Sequence, residues 1–185
     1  MDEAEQLAPE KIGKLEGAER LLKSAVQLFF DNGEMLAIHA LTASAHEVLR
    51  TLLQKKGYQE SLLKNNPSVR PEKVKELLRN MNQTQNFLKH ADQDPDEILE
   101  YYKEETPFWI FDAIRMYSKL TGSYKFRAFS IFNFWFLLEY PGVVEKKEIE
   151  DKLLAIKNTR NAPRTRDQFR QLINNPRKLP LPNLV

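Results

Sequence analysis

Gly33, Gly57, Pro71, Pro95, Pro107, Gly122 and Pro141 cut this chain into segments about as long as ordinary helices. Within most of these segments the apolar residues return every three or four positions, the spacing that lays one apolar stripe along a helix. No stretch alternates apolar and polar residues as a half-buried strand would, and no fixed-period repeat is present. The pattern predicts an all-α protein, a helical bundle whose first helices run up and down, antiparallel.

The first helix is expected over 9–32, with Ile12, Leu15, Leu22, Val26 and Phe29 on its stripe, Gly13 and Gly17 weakening its start and Gly33 stopping it. The second is expected over 34–56, buried through Ile38, Leu41, Ala45, Val48, Leu49 and Leu52. A connector with a turn at Asn65-Asn66-Pro67 leads to a third helix from Pro71, which should end near Asp92 because Pro95 disfavours helix before it. Thr106-Pro107 reads as a cap followed by a first-turn proline. Residues 123–140 form the most apolar helix, with almost no polar face, and are expected at the centre or at an interface. A helix over 146–158 and a short one over 167–174 complete the series. Residues 1–158 are expected as one domain and residues 159–185 as a basic, proline-containing tail packed on it or extending from it.

The 185 residues suffice for one domain with a sizeable core. There is no cysteine, which excludes disulfides, thiolate catalysis and cysteine-ligated metal. The acidic start, Met1-Asp2-Glu3-Ala4-Glu5, lacks the form of a secretory signal. The apolar run from Ala128 to Leu138 is too short to span a bilayer and is broken by Ser130 and Asn133. These features predict a cytoplasmic protein without a membrane partner. The net charge of +2 is unevenly spread: Arg160, Arg164, Arg166, Arg170, Arg177 and Lys178 oppose Asp167 alone in the tail. Such a tail contacts nucleic acid or an acidic partner, or is simply solvated.

The residues with chemical potential cluster late in the third helix. At ~100° per residue, Arg79, Asn86 and His90 share a face turned away from the Val74–Leu77–Leu78–Met81–Leu88 stripe. A cation, an amide and an imidazole in line suit a phosphodiester: Arg79 and Lys89 for the phosphate, Asn86 for orientation, His90 as general acid or base. A solvated polar face has the same spacing. Thr84 and Gln85 point into the stripe. On the second helix His39 and His46 flank the core seven residues apart, which places them ~10 Å apart along the axis, too far to share one metal ion. Each reads equally as a partly buried histidine bonded to a neighbour. Asp92, Asp94 and Asp96 alternate with Glu97 following, a carboxylate set that suits a divalent cation or the capping of adjoining helices. A metal site, if present, would use His39, His90, Asp92 and Asp94. Nothing calls for an organic cofactor: there is no Walker A loop, Rossmann fingerprint, His-Glu-x-x-His pair or Gly-x-Ser-x-Gly elbow.

The sequence Gly33-Glu34-Met35-Leu36-Ala37-Ile38-His39-Ala40-Leu41, followed by Ala45-His46-Glu47-Val48-Leu49, resembles the second helix of HEPN domains. The segment Gln85-Asn86-Phe87-Leu88-Lys89-His90 resembles their signature, an Arg, commonly a polar residue after it, and a His five positions beyond the Arg. Asn86 and His90 occupy the polar and His positions, and Gln85 stands where the family has Arg. The resemblance spans roughly Pro9 to Leu120. It implies a small helical protein of prokaryotic defence or toxin–antitoxin type, a homodimer that binds RNA or a nucleotide, with Asn86 and His90 as catalytic residues of a metal-independent RNase. Gln85 cannot supply a fixed positive charge, so that RNase is expected to be weak or inactive. Asn86 to Asp92 is also similar to a segment of uncharacterised bacterial proteins of this size, a likeness that implies no activity. The alternative is a non-enzymatic module, a scaffold or antitoxin-like subunit with a protein partner.

Overall fold

The computed structural model describes residues 9–58, 82–89, 92–143, 147–160 and 162–175. Among them are six α-helices: α1 (Lys14–Phe30), α2 (Met35–Lys55), α3 (Thr106–Thr121), α4 (Arg127–Glu139), α5 (Lys147–Lys157) and α6 (Arg166–Asn174). A further helical segment covers residues 82–87, and short 3-10 turns precede α3 and follow α4. The described residues contain no strand, so the fold is all-α as the periodicity predicts.

Helix boundaries follow local chemistry. Gly13, in extended backbone, precedes α1, so the helix begins after that glycine rather than at Pro9. The turn into α2 divides its tasks between two residues. Asn32 takes the left-handed conformation, with φ of 55°. Gly33 is needed for room instead: a Cβ there would lie 3.1 Å from the Leu28 carbonyl oxygen, to which the Gly33 N–H donates at 2.8 Å. Glu34 caps α2, its carboxylate accepting from the Leu36 N–H. Gly122 ends α3 with φ of 70°. Residues 124–126 are not helical and α4 starts only at Arg127, four residues later than periodicity suggests, because Phe126 is extended. Thr165 and Gln168 form a reciprocal capping box at the start of α6.

Side-chain contacts fix the helix directions. The short turn makes α1 and α2 antiparallel. Helices α2 and α3 run the same way: His39 meets Thr106, His46 meets Asp112, and the Lys56 ammonium donates to the Leu120 carbonyl. Helix α4 opposes α3, since Tyr117 packs on Phe129 while Phe111 stacks on Phe136 at 4.2 Å. It runs with α1, because Lys23 lies over Phe126 and Phe29 meets Trp135. The order is therefore up, down, down, up. A parallel pair such as α2 and α3 cannot be joined by a tight turn.

The core sits where these four helices meet. Leu22, Val26, Phe29 and Phe30 of α1 pack with Ile38 and Leu49 of α2, Ile110 and Ile114 of α3, and Phe129, Phe132 and Phe136 of α4. Helix α4 is central, the first of its two expected places. Phe29, Phe30 and Phe132 meet edge to face, with centroids 5.1 to 6.0 Å apart, the arrangement aromatic quadrupoles favour. Helix α6 covers this cluster from the outside: Phe169 packs on Phe30 and Phe134, and the Arg127 guanidinium donates to the Leu172 carbonyl. No helix among the described residues is long and apolar enough to cross a membrane.

Candidate functional site

The densest group of polar side chains in the described residues lies inside the α2–α3 seam. His39 and His46 project from α2, two turns apart, and Trp109 of α3 lies against both, with ring centroids 5.4 and 4.9 Å away. Tyr101 closes the end of the seam edge-on to His39. His39 is 3% exposed and His46 is fully buried.

Proton counting orders the first half of this group. The Tyr101 hydroxyl donates to the Met35 carbonyl at 2.9 Å, it lies 2.7 Å from the Thr106 hydroxyl, and that hydroxyl lies 3.1 Å from His39 Nδ1. Three contacts require three protons, and the two hydroxyls bring only two. The third belongs on His39 Nδ1. The chain then runs His39 Nδ1–H to Thr106, Thr106 O–H to Tyr101, Tyr101 O–H to Met35. His39 Nε2, which has no partner among the described residues, carries a lone pair rather than an orphan proton. Charging His39 would put an unpaired N–H in the interior, and burial accordingly pushes its pKa down to about 4. Burial also raises the Tyr101 phenol, an effect the Thr106 hydrogen bond partly offsets.

The second half is a His–Asp pair. His46 Nε2 lies 2.8 Å from Asp112 Oδ2, with the two side chains 0% and 2% exposed. A carboxylate accepts, so Nε2 carries the proton; Nδ1 has no partner among the described residues, and a lone pair there leaves no donor unsatisfied. A buried carboxylate with a buried imidazole resembles half of a catalytic triad, but among the described residues no hydroxyl bonds to His46 Nδ1, and the nearby Thr42 hydroxyl donates to the Ile38 carbonyl. What the arrangement does is lock the register of α2 on α3 at two heights.

Residues singled out from the sequence fall elsewhere. Arg79 and His90 lie outside the described residues. The helix they were expected to share is helical over 82–87 and turns at 88–89, ahead of its expected end near Asp92. The turn is tight: the Lys89 N–H donates to the Asn86 carbonyl at 3.0 Å and the Leu88 N–H to that of Thr84. Thr84 is buried and Gln85 half-buried, while Asn86 and Lys89 are exposed; Leu88, expected on the buried stripe, is exposed as well, since the helix has given way to a turn there. Asp92, Asp94 and Asp96 are exposed too, in turns that include the Glu97 N–H donating to the Asp94 carbonyl. Partial desolvation and a shared hydrogen bond with Asp94 raise the Glu97 carboxyl. Of the metal set, His39 is engaged with Thr106 inside the seam and Asp92 and Asp94 are at the surface. Among the described residues no three His, Asp or Glu side chains gather as a metal cage.

Sequence reasoning found the two histidines and missed Tyr101, Thr106, Trp109 and Asp112. One signal was present: Asp112 is the lone carboxylate in the apolar run 107–114. It lies six residues beyond Thr106, as His46 lies seven beyond His39, and that pairs the two sets in a parallel alignment. Thr106, taken as a cap, spends its hydroxyl on Tyr101 and His39 instead, and the residue before α3 makes no side-chain cap. No family model, curated protein or solved structure matches this chain.

Proposed function

We propose that the protein is a HEPN-like homodimer that binds RNA or a nucleotide at the face carrying Asn86 and Lys89, with weak cleavage or none. The observation that carries this reading is the joint exposure of Asn86 and Lys89 at the end of the helical segment, an amide and an ammonium open to a phosphate. Arg79 would add a second cation and His90 a proton donor. Gln85, half-buried where the resembled family has Arg, supports binding over catalysis, because an amide holds no fixed charge for a developing oxyanion. Use of His39 and His46 inside the seam points the same way: neither is open to a substrate.

The test is fluorescence anisotropy with a short labelled single-stranded RNA, alongside a gel assay for cleavage. Binding should weaken ~tenfold in Asn86→Ala/Lys89→Ala, in a salt-dependent manner. Any trace cleavage should vanish in His90→Ala while binding persists. RNA that does not bind at low salt would end this reading and favour the protein-interaction module.

A further inference from the structure

One end of the bundle, where α1 and α4 finish and α2 and α3 begin, carries sharply segregated charge. On one side, residues 92–105 present Asp92, Asp94, Asp96, Glu97, Glu100, Glu104 and Glu105 against Lys103 alone, all exposed. On the other, Arg160 and Arg164 are exposed, and so is Lys157, whose ammonium lies 4.0 Å from Glu139. Arg166 lies 3.9 Å above the Phe29 ring at the end of α1 and donates to the Phe29 carbonyl. Tyr140, which follows α4, packs on Phe108 at the start of α3. Its phenol is raised chiefly by burial, then by Glu139 and Glu104, and is lowered by Arg166. Neither Arg160 nor Arg164 pairs with a carboxylate among the described residues.

The acidic side is also apolar in a way the chain's own packing does not use. Ile98 is 86% exposed and Tyr102 62% exposed. Tyr101 between them is anchored by its hydroxyl to Met35 and Thr106, so the backbone is tied down while its neighbours face outward. A tethered stretch that displays an isoleucine and a tyrosine among seven carboxylates is built to meet a surface. RNA and anionic membranes are repelled by those carboxylates. The complement is an arginine-bearing surface beside apolar side chains, and the other half of the same end is one: exposed Arg160 and Arg164, with Leu154 39% exposed nearby in sequence.

We propose that this end is a self-complementary interface between two copies of the chain. The acidic stretch 92–105 of each copy faces Arg160 and Arg164 of the other, with Ile98 and Tyr102 as its apolar centre. A two-fold axis makes the acidic-to-basic contact twice, which is why one end carrying both halves suffices. The proposal rests on the dimeric part of the reading above and not on RNA binding.

Sedimentation velocity across a concentration series, at low and high salt, tests it. The wild type should dimerise, less tightly in high salt. Asp96→Lys/Glu97→Lys/Glu100→Lys/Glu104→Lys, which makes the stretch net positive, and Arg160→Glu/Arg164→Glu should each be monomeric with unchanged circular dichroism. An equimolar mixture of the two should dimerise again, because both contacts are then opposite in charge. Ile98→Asp should weaken the dimer ~tenfold or more. A wild type monomeric throughout would overturn this interface and the dimeric reading together. A dimer indifferent to both charge reversals would overturn the interface alone, and so would a mixture that stays monomeric.

Discussion

At the scale of residues, His39 makes the protein sensitive to acid. His39 folds with a pKa of about 4 against an ordinary value of 6.5. Between those two values the unfolded chain binds more protons at this site than the folded one, so stability rises with pH. The contribution is fully present above pH ~6.5 and is lost progressively as pH falls to ~4, totalling ~3 kcal/mol, since the ring is almost wholly buried. Urea unfolding of wild type and His39→Gln across that window should show the wild type losing more stability than the variant. Equal pH slopes for the two proteins would remove His39 as the cause. The His46–Asp112 pair makes a different demand. Asp112→Ala strands a buried imidazole N–H and should cost ~3–5 kcal/mol, whereas His46→Leu/Asp112→Leu should lie closer to wild type than either single change. The positions of both histidines were legible from their place at the edge of the apolar stripe. Their partners, 66 and 67 residues away, were legible only in part: Asp112 stands out as the lone carboxylate of its apolar run, but Thr106 and Tyr101 carry no such mark.

At the scale of elements, two glycines that look alike in sequence end helices for different reasons. Gly122 has a positive φ and open space where a Cβ would go. Gly33 has a Cβ position pressed against Leu28, and the left-handed residue of its turn is Asn32. Gly122→Ala should therefore cost ~1–2 kcal/mol, and Gly122→Asn should recover much of that loss, since asparagine tolerates the left-handed region. At Gly33, asparagine should be no better than alanine, because the obstruction is the Leu28 backbone oxygen. Thermal midpoints of the four variants decide the matter. Helix existence was readable throughout the described residues because apolar periodicity is strong. The start of α4 was not, because Tyr124 and Phe126 carry the periodicity of the helix onward while neither is helical, and both still pack on the core. Burial without helix is invisible to a pattern that records only which residues are apolar.

At the scale of the molecule, the up-down-down-up order was only half legible: a short turn announces an antiparallel pair, but nothing local announces that α2 and α3 run parallel. That arrangement distributes the core over two seams, and the chain's two tryptophans sit one in each. Trp109 packs between the histidines of the α2–α3 seam, and Trp135 packs on Phe29 and Phe132 where α1 meets α4. Ile110 and Ile114 of α3, on the same helix as Trp109, are buried in the cluster that contains Phe132, so the two seams share a packed wall. A core at crystal-like density transmits the loss of one seam to the other, and the bundle should unfold as one unit. Single-tryptophan proteins made by Trp109→Phe and Trp135→Phe isolate the two reporters. Within each protein, the fluorescence transition in urea should coincide with the helical transition followed by circular dichroism. If the Trp109 signal instead moves ahead of the helical signal, the polar seam opens before the aromatic core. The histidine cluster would then belong to a separately melting unit, and its pH dependence should appear in that first step alone.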